Sequence, residues 1–245
     1  MNQAPWPPPS IEHQKNRSVI SIILLWLGCY VIAAVLSVAV MSASGGSTDT
    51  STDSPATWVL ALSALGLWLP FMVMLRSVAR RSQTNFRKYF GLRFTTADLF
   101  GVPLGIFCQV VLMNAVNWPL NKWLPNIFNP QRVENRARDL VDSAHGAWFI
   151  VLALVVVIGA PLVEELVYRG FIQSGLQSRI GEAWALVITA VWFTVVHLEP
   201  IEFPGLFAFA IVLGFCYQRT QRVGLSMVTH LAFNATGLLL VALTS

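Results

Sequence analysis

Residues 19–41, VISIILLWLGCYVIAAVLSVAVM, are apolar almost without interruption. A bilayer core of about 30 Å is crossed by about 20 apolar helical residues, so this run is long enough to span a membrane. Residues 148–163, WFIVLALVVVIGAPLV, read the same way. The composition agrees: of 245 residues, 55% are hydrophobic and only 11% charged, where a soluble domain carries roughly 25% charged residues. One membrane domain with short ends accounts for this balance; two soluble domains do not.

Further apolar segments predict an all-α, polytopic transmembrane helix bundle of about seven spans. They lie near 19–41, 57–75, 98–117, 147 onward, 183–197, 204–218 and 225–243. Thr95-Thr96-Ala97-Asp98 is a predicted helix start, and residues 118–146, interrupted by Pro119, Pro125 and Pro130, are expected to hold a short surface helix over 132–142. Residues 1–18 contain the run Ala4-Pro5-Trp6-Pro7-Pro8-Pro9 and are expected to be a disordered cytoplasmic end. Lys15, Arg17 and Ser42-Ala43-Ser44 imitate a signal peptide. The apolar run nevertheless exceeds the 7–15 residues or so of a signal core, which makes it a retained first span.

The formal net charge is +4. The basic residues sit in short links between apolar runs, as in Arg76, Arg80, Arg81, Arg87, Lys88 and Arg93. That distribution describes cytoplasmic loops near anionic lipid and leaves no folded basic surface for nucleic acid. By the same rule the N-terminus is cytoplasmic, the 42–55 and 118–146 loops are outside, and Arg169, Arg179, Arg219 and Arg222 face inward. Cys29, Cys108 and Cys216 all fall in apolar runs and read as buried small hydrophobes. No disulfide framework or zinc finger is patterned.

Ionisable groups within a bilayer are costly, about 2.5–3.5 kcal/mol each on insertion scales, and so mark function first. They gather in the C-terminal half. Glu165 and Arg169 are four residues apart and share a helix face. Glu164 points about 100° away, has no local basic partner, and is the candidate general base. His197 closes the segment Phe193-Thr194-Val195-Val196-His197, with the Phe193 ring one turn before it. His230 and Asn234 project to one side of the last span. Blander readings exist for each: solvated acids at the interface, an interfacial histidine, and His and Asn joining helices by hydrogen bonds.

Taken together, the set supplies a base that can activate water and N–H groups that can hold an oxyanion. No Gly-x-Ser-x-Gly nucleophile or aspartic dyad is present. Direct attack by a Glu-activated water, without a cofactor, is the economical reading. A zinc site with Glu164, His197 and His230 as ligands is the alternative, although the His-Glu-x-x-His signature is missing.

Glu164-Glu165-x-x-x-Arg169, Phe193-x-x-x-His197 and His230-x-x-x-Asn234, in this order on successive apolar segments, resemble the CAAX-protease and bacteriocin-processing (CPBP, or Abi) family. Val163–Leu176, with Tyr168-Arg169-Gly170-Phe171, looks like the family's first motif. The resemblance implies an intramembrane endopeptidase related to type II CAAX prenyl endopeptidases, with a peptide or protein substrate that is lipidated or membrane-associated. It divides the chain into the N-terminal end 1–18, N-terminal transmembrane helices and loops over 19–146, and a catalytic core over 147–243. It also implies roles: Glu164 activates water, Glu165 with Arg169 shapes the site, His197 assists Glu164, and His230 with Asn234 holds the oxyanion. Family members have been described both as metalloproteases and as glutamate-dependent proteases. Two other classes use the same residues: a non-catalytic immunity or scaffold protein, and a proton-coupled transporter.

One geometric difficulty stands. These boundaries put Glu164 near the inner end of its span and His197 near the outer end of the next.

Overall fold

The computed structural model describes residues 17–45, 55–128 and 130–244. The Pro-rich N-terminus and most of the 42–55 loop lie outside the described residues. Helix α1 (Val19–Ala43) starts at Ser18, whose hydroxyl accepts the Ser21 N–H at 3.1 Å. Helix α2 is Thr57–Arg81, α3 is the single turn Phe86–Tyr89, α4 is Thr96–Trp123 and α5 is Pro130–Asp142. Helix α6 runs 34 residues, Ala147–Ile180; α7 is Glu182–Val195, α8 Phe203–Thr220 and α9 Val223–Thr244. The predicted start at Thr95 is made by the Asp98 carboxylate, which accepts the Thr95 N–H at 2.7 Å.

Large apolar side chains on α1, α2, α4 and α6 face outward, among them Ile20, Leu24, Leu69, Phe107 and Ile150. A water-facing surface this apolar would be an aggregation site; in a bilayer it is the ordinary outer surface of a bundle. Among the described residues, five helices are long and apolar enough to cross a membrane: α1, α2, α4, α6 and α9. The expected count of seven is therefore not met by length. At 14 residues and about 1.5 Å per residue, α7 is too short to span, and α8 falls outside the set of five.

That short helix resolves the depth difficulty. The chain turns from α6 into α7 at Gly181, whose φ of +83° suits glycine alone without strain. Glu164 lies seventeen residues before this turn and His197 sixteen after it. At about 1.5 Å per residue both stand about 25 Å from the turn, so an antiparallel α6–α7 hairpin places them level. Arg169 and Phe193, each twelve residues from Gly181, do meet, with the guanidinium 4.8 Å from the ring centroid.

Helix α6 is the centre of the bundle. Every residue from Glu165 to Gln173 is buried, surrounded by a core that includes Ile22 and Trp26 of α1, Leu75 of α2, Phe193 of α7, Ala210 and Tyr217 of α8 and Met227 of α9. All three cysteines are buried and free, as their apolar settings predict.

Small residues set the closest helix contact. A Cβ on Gly105 of α4 would meet the Thr229 carbonyl oxygen of α9, and one on Gly101 would come within 2.8 Å of the Thr229 nitrogen. The spacing of four puts both glycines on one stripe, the close-packing device of membrane helices. Gly105→Val should destabilise the protein by about 1–3 kcal/mol and lower its melting temperature in detergent. Gly28→Val, at a position facing open space, should leave it unchanged.

One end of the bundle gathers the basic links. The Arg17 side chain donates to the Tyr89 hydroxyl at 3.3 Å, Arg179 to the Arg17 carbonyl at 3.0 Å and Arg222 to the Arg93 carbonyl at 3.1 Å.

Candidate active site

Helix α6 departs from α-geometry twice, with π-helical turns at Leu154–Gly159 and Glu165–Gln173. Such turns are rare and occur mostly where a side chain must be re-aimed. Glu164 ends the α-helical piece between them. The first π segment leaves the Val156 carbonyl to the Asn234 amide, which donates to it at 2.8 Å. At the second, Glu165 and Arg169 pair at 3.0 Å, with side chains 0% and 1% exposed.

A buried ion pair depends on further hydrogen bonds to meet its remaining capacity; here several are made, while Glu165 Oε2 and Arg169 Nε are buried with no hydrogen-bond partner among the described residues. Arg169 also donates to the Ala210 carbonyl at 3.3 Å and lies over Phe193. Glu165 Oε1 receives a second hydrogen bond from His230 Nδ1 at 2.9 Å. The His230 ring stands edge-on to Phe209 and Phe193, at 5.4 and 6.0 Å between centroids.

These contacts fix both histidine tautomers. A carboxylate paired with arginine only accepts, so His230 Nδ1 carries the proton and Nε2 is bare in the neutral ring. His230 Nε2 lies 3.8 Å from Glu164 Oε2, beyond direct hydrogen-bond reach. His197 Nδ1 meets the Phe193 carbonyl at 2.6 Å; a carbonyl also only accepts, so here too Nε2 is the bare nitrogen. The Phe193 ring packs 4.7 Å from the His197 ring.

Glu164 and His197 line one cavity of about 350 Å³, walled by Tyr30, Trp68, Phe71, Tyr168 and Leu198 among others. The Glu164 side chain is 27% exposed, against complete burial of its neighbour. The two adjacent glutamates are thereby separated in kind: Glu165 is enclosed and neutralised, while Glu164 opens on a void. Five of the six sequence-predicted residues, Glu164, Glu165, Arg169, His197 and His230, meet around Phe193 and this cavity. Asn234 makes its recorded hydrogen bond to the α6 backbone, two turns above Glu164.

The α1 and α2 walls were not expected from sequence, since the first three spans carry no motif. Tyr30 and Trp68 are the signal that was available: amphipathic rings inside the first two apolar runs. Glu164, His197 and His230 carry the three atoms a zinc ion would need, but no three His, Cys, Asp or Glu side chains among the described residues are grouped to hold a metal.

Residues 146–236 match the family model described as type II CAAX prenyl endopeptidase Rce1-like. The chain is also 22% identical to the Bacillus subtilis (strain 168) protein described as "Putative membrane peptidase YdiL", over 71% of this chain and 70% of that one. No solved structure matches.

Proposed function

We infer, from this chain's membership of the CAAX-protease family through residues 146–236, that it is an integral membrane endopeptidase whose Glu164 activates the attacking water. The observation that carries this reading is the pairing of a cavity-facing Glu164 with a His230 ring whose other nitrogen is tied to the buried Glu165–Arg169 pair. The 3.8 Å gap between Glu164 Oε2 and His230 Nε2 suits one water, hydrogen-bonded to both at about 2.8 Å.

Two acceptors flank that position, the Glu164 carboxylate and the bare Nε2 of His230, and His197 lines the same cavity as Glu164. The two acceptors orient the water and take its proton. The hydroxide adds to the carbonyl carbon of the scissile amide, and the carbonyl π electrons move onto oxygen. A neutral His230 has no Nε2–H to give that oxyanion. The proton removed from water, passed from Glu164 to His230 Nε2, supplies one. The resulting imidazolium lies between two carboxylates. Asn234 ties α9 to α6 through the Val156 carbonyl. Collapse of the intermediate breaks the C–N bond, with the same proton delivered to the departing amine. Glu165 and Arg169 hold His230 in place, and His197 steers Glu164 and the water. No step is routed through a metal.

The same reading places the N-terminus in the cytoplasm, supported by the joined basic links of Arg17, Tyr89, Arg179, Arg93 and Arg222 at one end. The substrate is a peptide or protein held at the membrane. It enters an apolar cavity walled by Leu67, Phe71, Val196 and Leu198, which suits an apolar or lipid-bearing segment. Purified protein is expected to cleave a quenched CAAX-type peptide at an unchanged rate when a zinc chelator is added. Loss of cleavage on chelation, restored by zinc, would replace the glutamate mechanism with a metal one. Intact peptide under both conditions would reject hydrolysis of this substrate class.

A further inference from the structure

A second cavity, of about 720 Å³, lies at the basic end, away from Glu164, and is lined by Asn85, Arg87, Lys88, Gly91, Leu92, Arg93, Phe94 and Arg222. It is built where two loops are clipped together. Gly91 takes φ +64° and its carbonyl accepts the Val223 N–H at 3.1 Å, joining the link after α3 to the turn between α8 and α9. A side chain at Gly91 would press on the Gln221 carbonyl at 3.1 Å and the Arg222 Cα at 3.3 Å. Arg222 holds the floor: Nη1 and Nη2 bond the two Asp98 oxygens at 2.8 and 3.0 Å, and Nη2 also reaches the Thr95 hydroxyl at 3.3 Å.

Charge and polarity across this cavity point to an amphiphile. Four of its lining residues are cationic and none is acidic. Asp98 neutralises Arg222, and Arg87 and Lys88 give the cavity an excess of positive charge. The Asn85 Oδ1 accepts the Arg87 N–H at 2.9 Å, which leaves the Asn85 amide hydrogens as donors. The same lining includes the apolar Leu92 and Phe94. Phe94 is 53% exposed, and beyond the lining Leu99 and Phe100, one and two residues after Asp98, are 65% and 68% exposed. A cationic recess bordered by outward apolar side chains, where a basic link meets a membrane helix, matches a phosphate headgroup with acyl chains attached. A soluble phosphate would have no use for the apolar border.

We propose that this recess binds the phosphate of an anionic phospholipid, held by Arg87 and Lys88 over the Arg222–Asp98 floor with an acyl chain along Phe94. The proposal needs only the membrane bundle and is independent of the peptidase reading.

The test is lipid binding to the full-length protein in neutral detergent, followed by native mass spectrometry with phosphatidylglycerol and phosphatidylcholine as probes. Phosphatidylglycerol should bind and phosphatidylcholine should not. Arg87→Ala with Lys88→Ala should weaken phosphatidylglycerol binding about thirtyfold, at about 1 kcal/mol for each basic residue near an anionic group. Arg76→Ala with Arg80→Ala removes the same charge from exposed positions on α2 outside the cavity and should change binding little. Arg87→Gln with Lys88→Gln repeats the comparison with side-chain bulk retained. Equal losses from the two pairs of sites would overturn the cavity in favour of a diffuse surface effect. Displacement of the lipid by inorganic phosphate at matched concentration would overturn the lipid assignment.

Discussion

Glu164→Gln is expected to slow peptide cleavage by about 10²–10⁴-fold, the range for loss of a general base, while the protein accumulates in the membrane at its normal level. The amide keeps the shape of the carboxylate but puts an N–H donor in place of one accepting oxygen and cannot take a proton from water. Stability should hardly change, because the side chain is partly exposed and its ion-pair contact, His230 Nε2, is 3.8 Å away. The measurement is single-turnover cleavage beside a melting curve in detergent. A non-catalytic scaffold using the same cavity would keep its phenotype in this variant, which separates the two classes. A proton-coupled transporter would instead show flux in liposomes that depends on His230.

Arg169→Ala should do the reverse in emphasis, destabilising the protein by about 3–5 kcal/mol, the usual result of removing one partner of a buried ion pair. The variant leaves Glu165 fully buried without its arginine, its Oε1 bonded to His230 Nδ1, and leaves the Ala210 carbonyl and the Phe193 ring without the guanidinium. Cleavage falls too, because the His230 Nδ1 contact is made to the same Glu165 oxygen that Arg169 holds. Replacing both partners, as in Glu165→Gln with Arg169→Met, should recover much of the lost stability without recovering cleavage. Thermal unfolding in detergent reads the first effect, and cleavage by the folded fraction reads the second. Equal stability of Arg169→Ala and the wild type would remove the pair from the account.

Much of this arrangement is legible in the sequence because a bilayer makes polar residues conspicuous. Glu165 and Arg169 pair as their spacing predicts, and Phe193 packs on His197. The level placement of Glu164 and His197 was also available, in their near-equal separations from Gly181. It was obscured by reading 183–197 as a full span, when the helix ends after 14 residues. The π-helical turns of α6 leave no trace in the sequence, since an apolar run such as Leu154–Gly159 is apolar on every face and offers no period to shift. Those turns decide how Asn234 is used: the His230–Asn234 stripe does face α6, but a carbonyl released in the first π segment takes the Asn234 amide. Sequence spacing likewise gave Glu164 no local partner. The His230 that faces both glutamates comes from α9, a contact of 65 residues' separation for Glu165 and so a matter of tertiary packing alone.

The cavity walls show the same limit. Tyr30, Trp68 and Phe71 belong to α1 and α2, where no motif residue draws attention, and only the packing of those helices against α6 and α7 brings them to Glu164. The cavity is thus made jointly by the helices that carry the motif residues and by two that carry none of them.

The central claim is that a water held by Glu164 in this cavity cuts a peptide bond. Mass spectrometry of a CAAX-type peptide, incubated in ¹⁸O-labelled water with the purified protein in liposomes and chelator present, tests it most directly. The account predicts a single cut with one ¹⁸O in the new carboxylate for the wild type, and intact peptide for Glu164→Gln. Cutting by Glu164→Gln at the wild-type rate would contradict it.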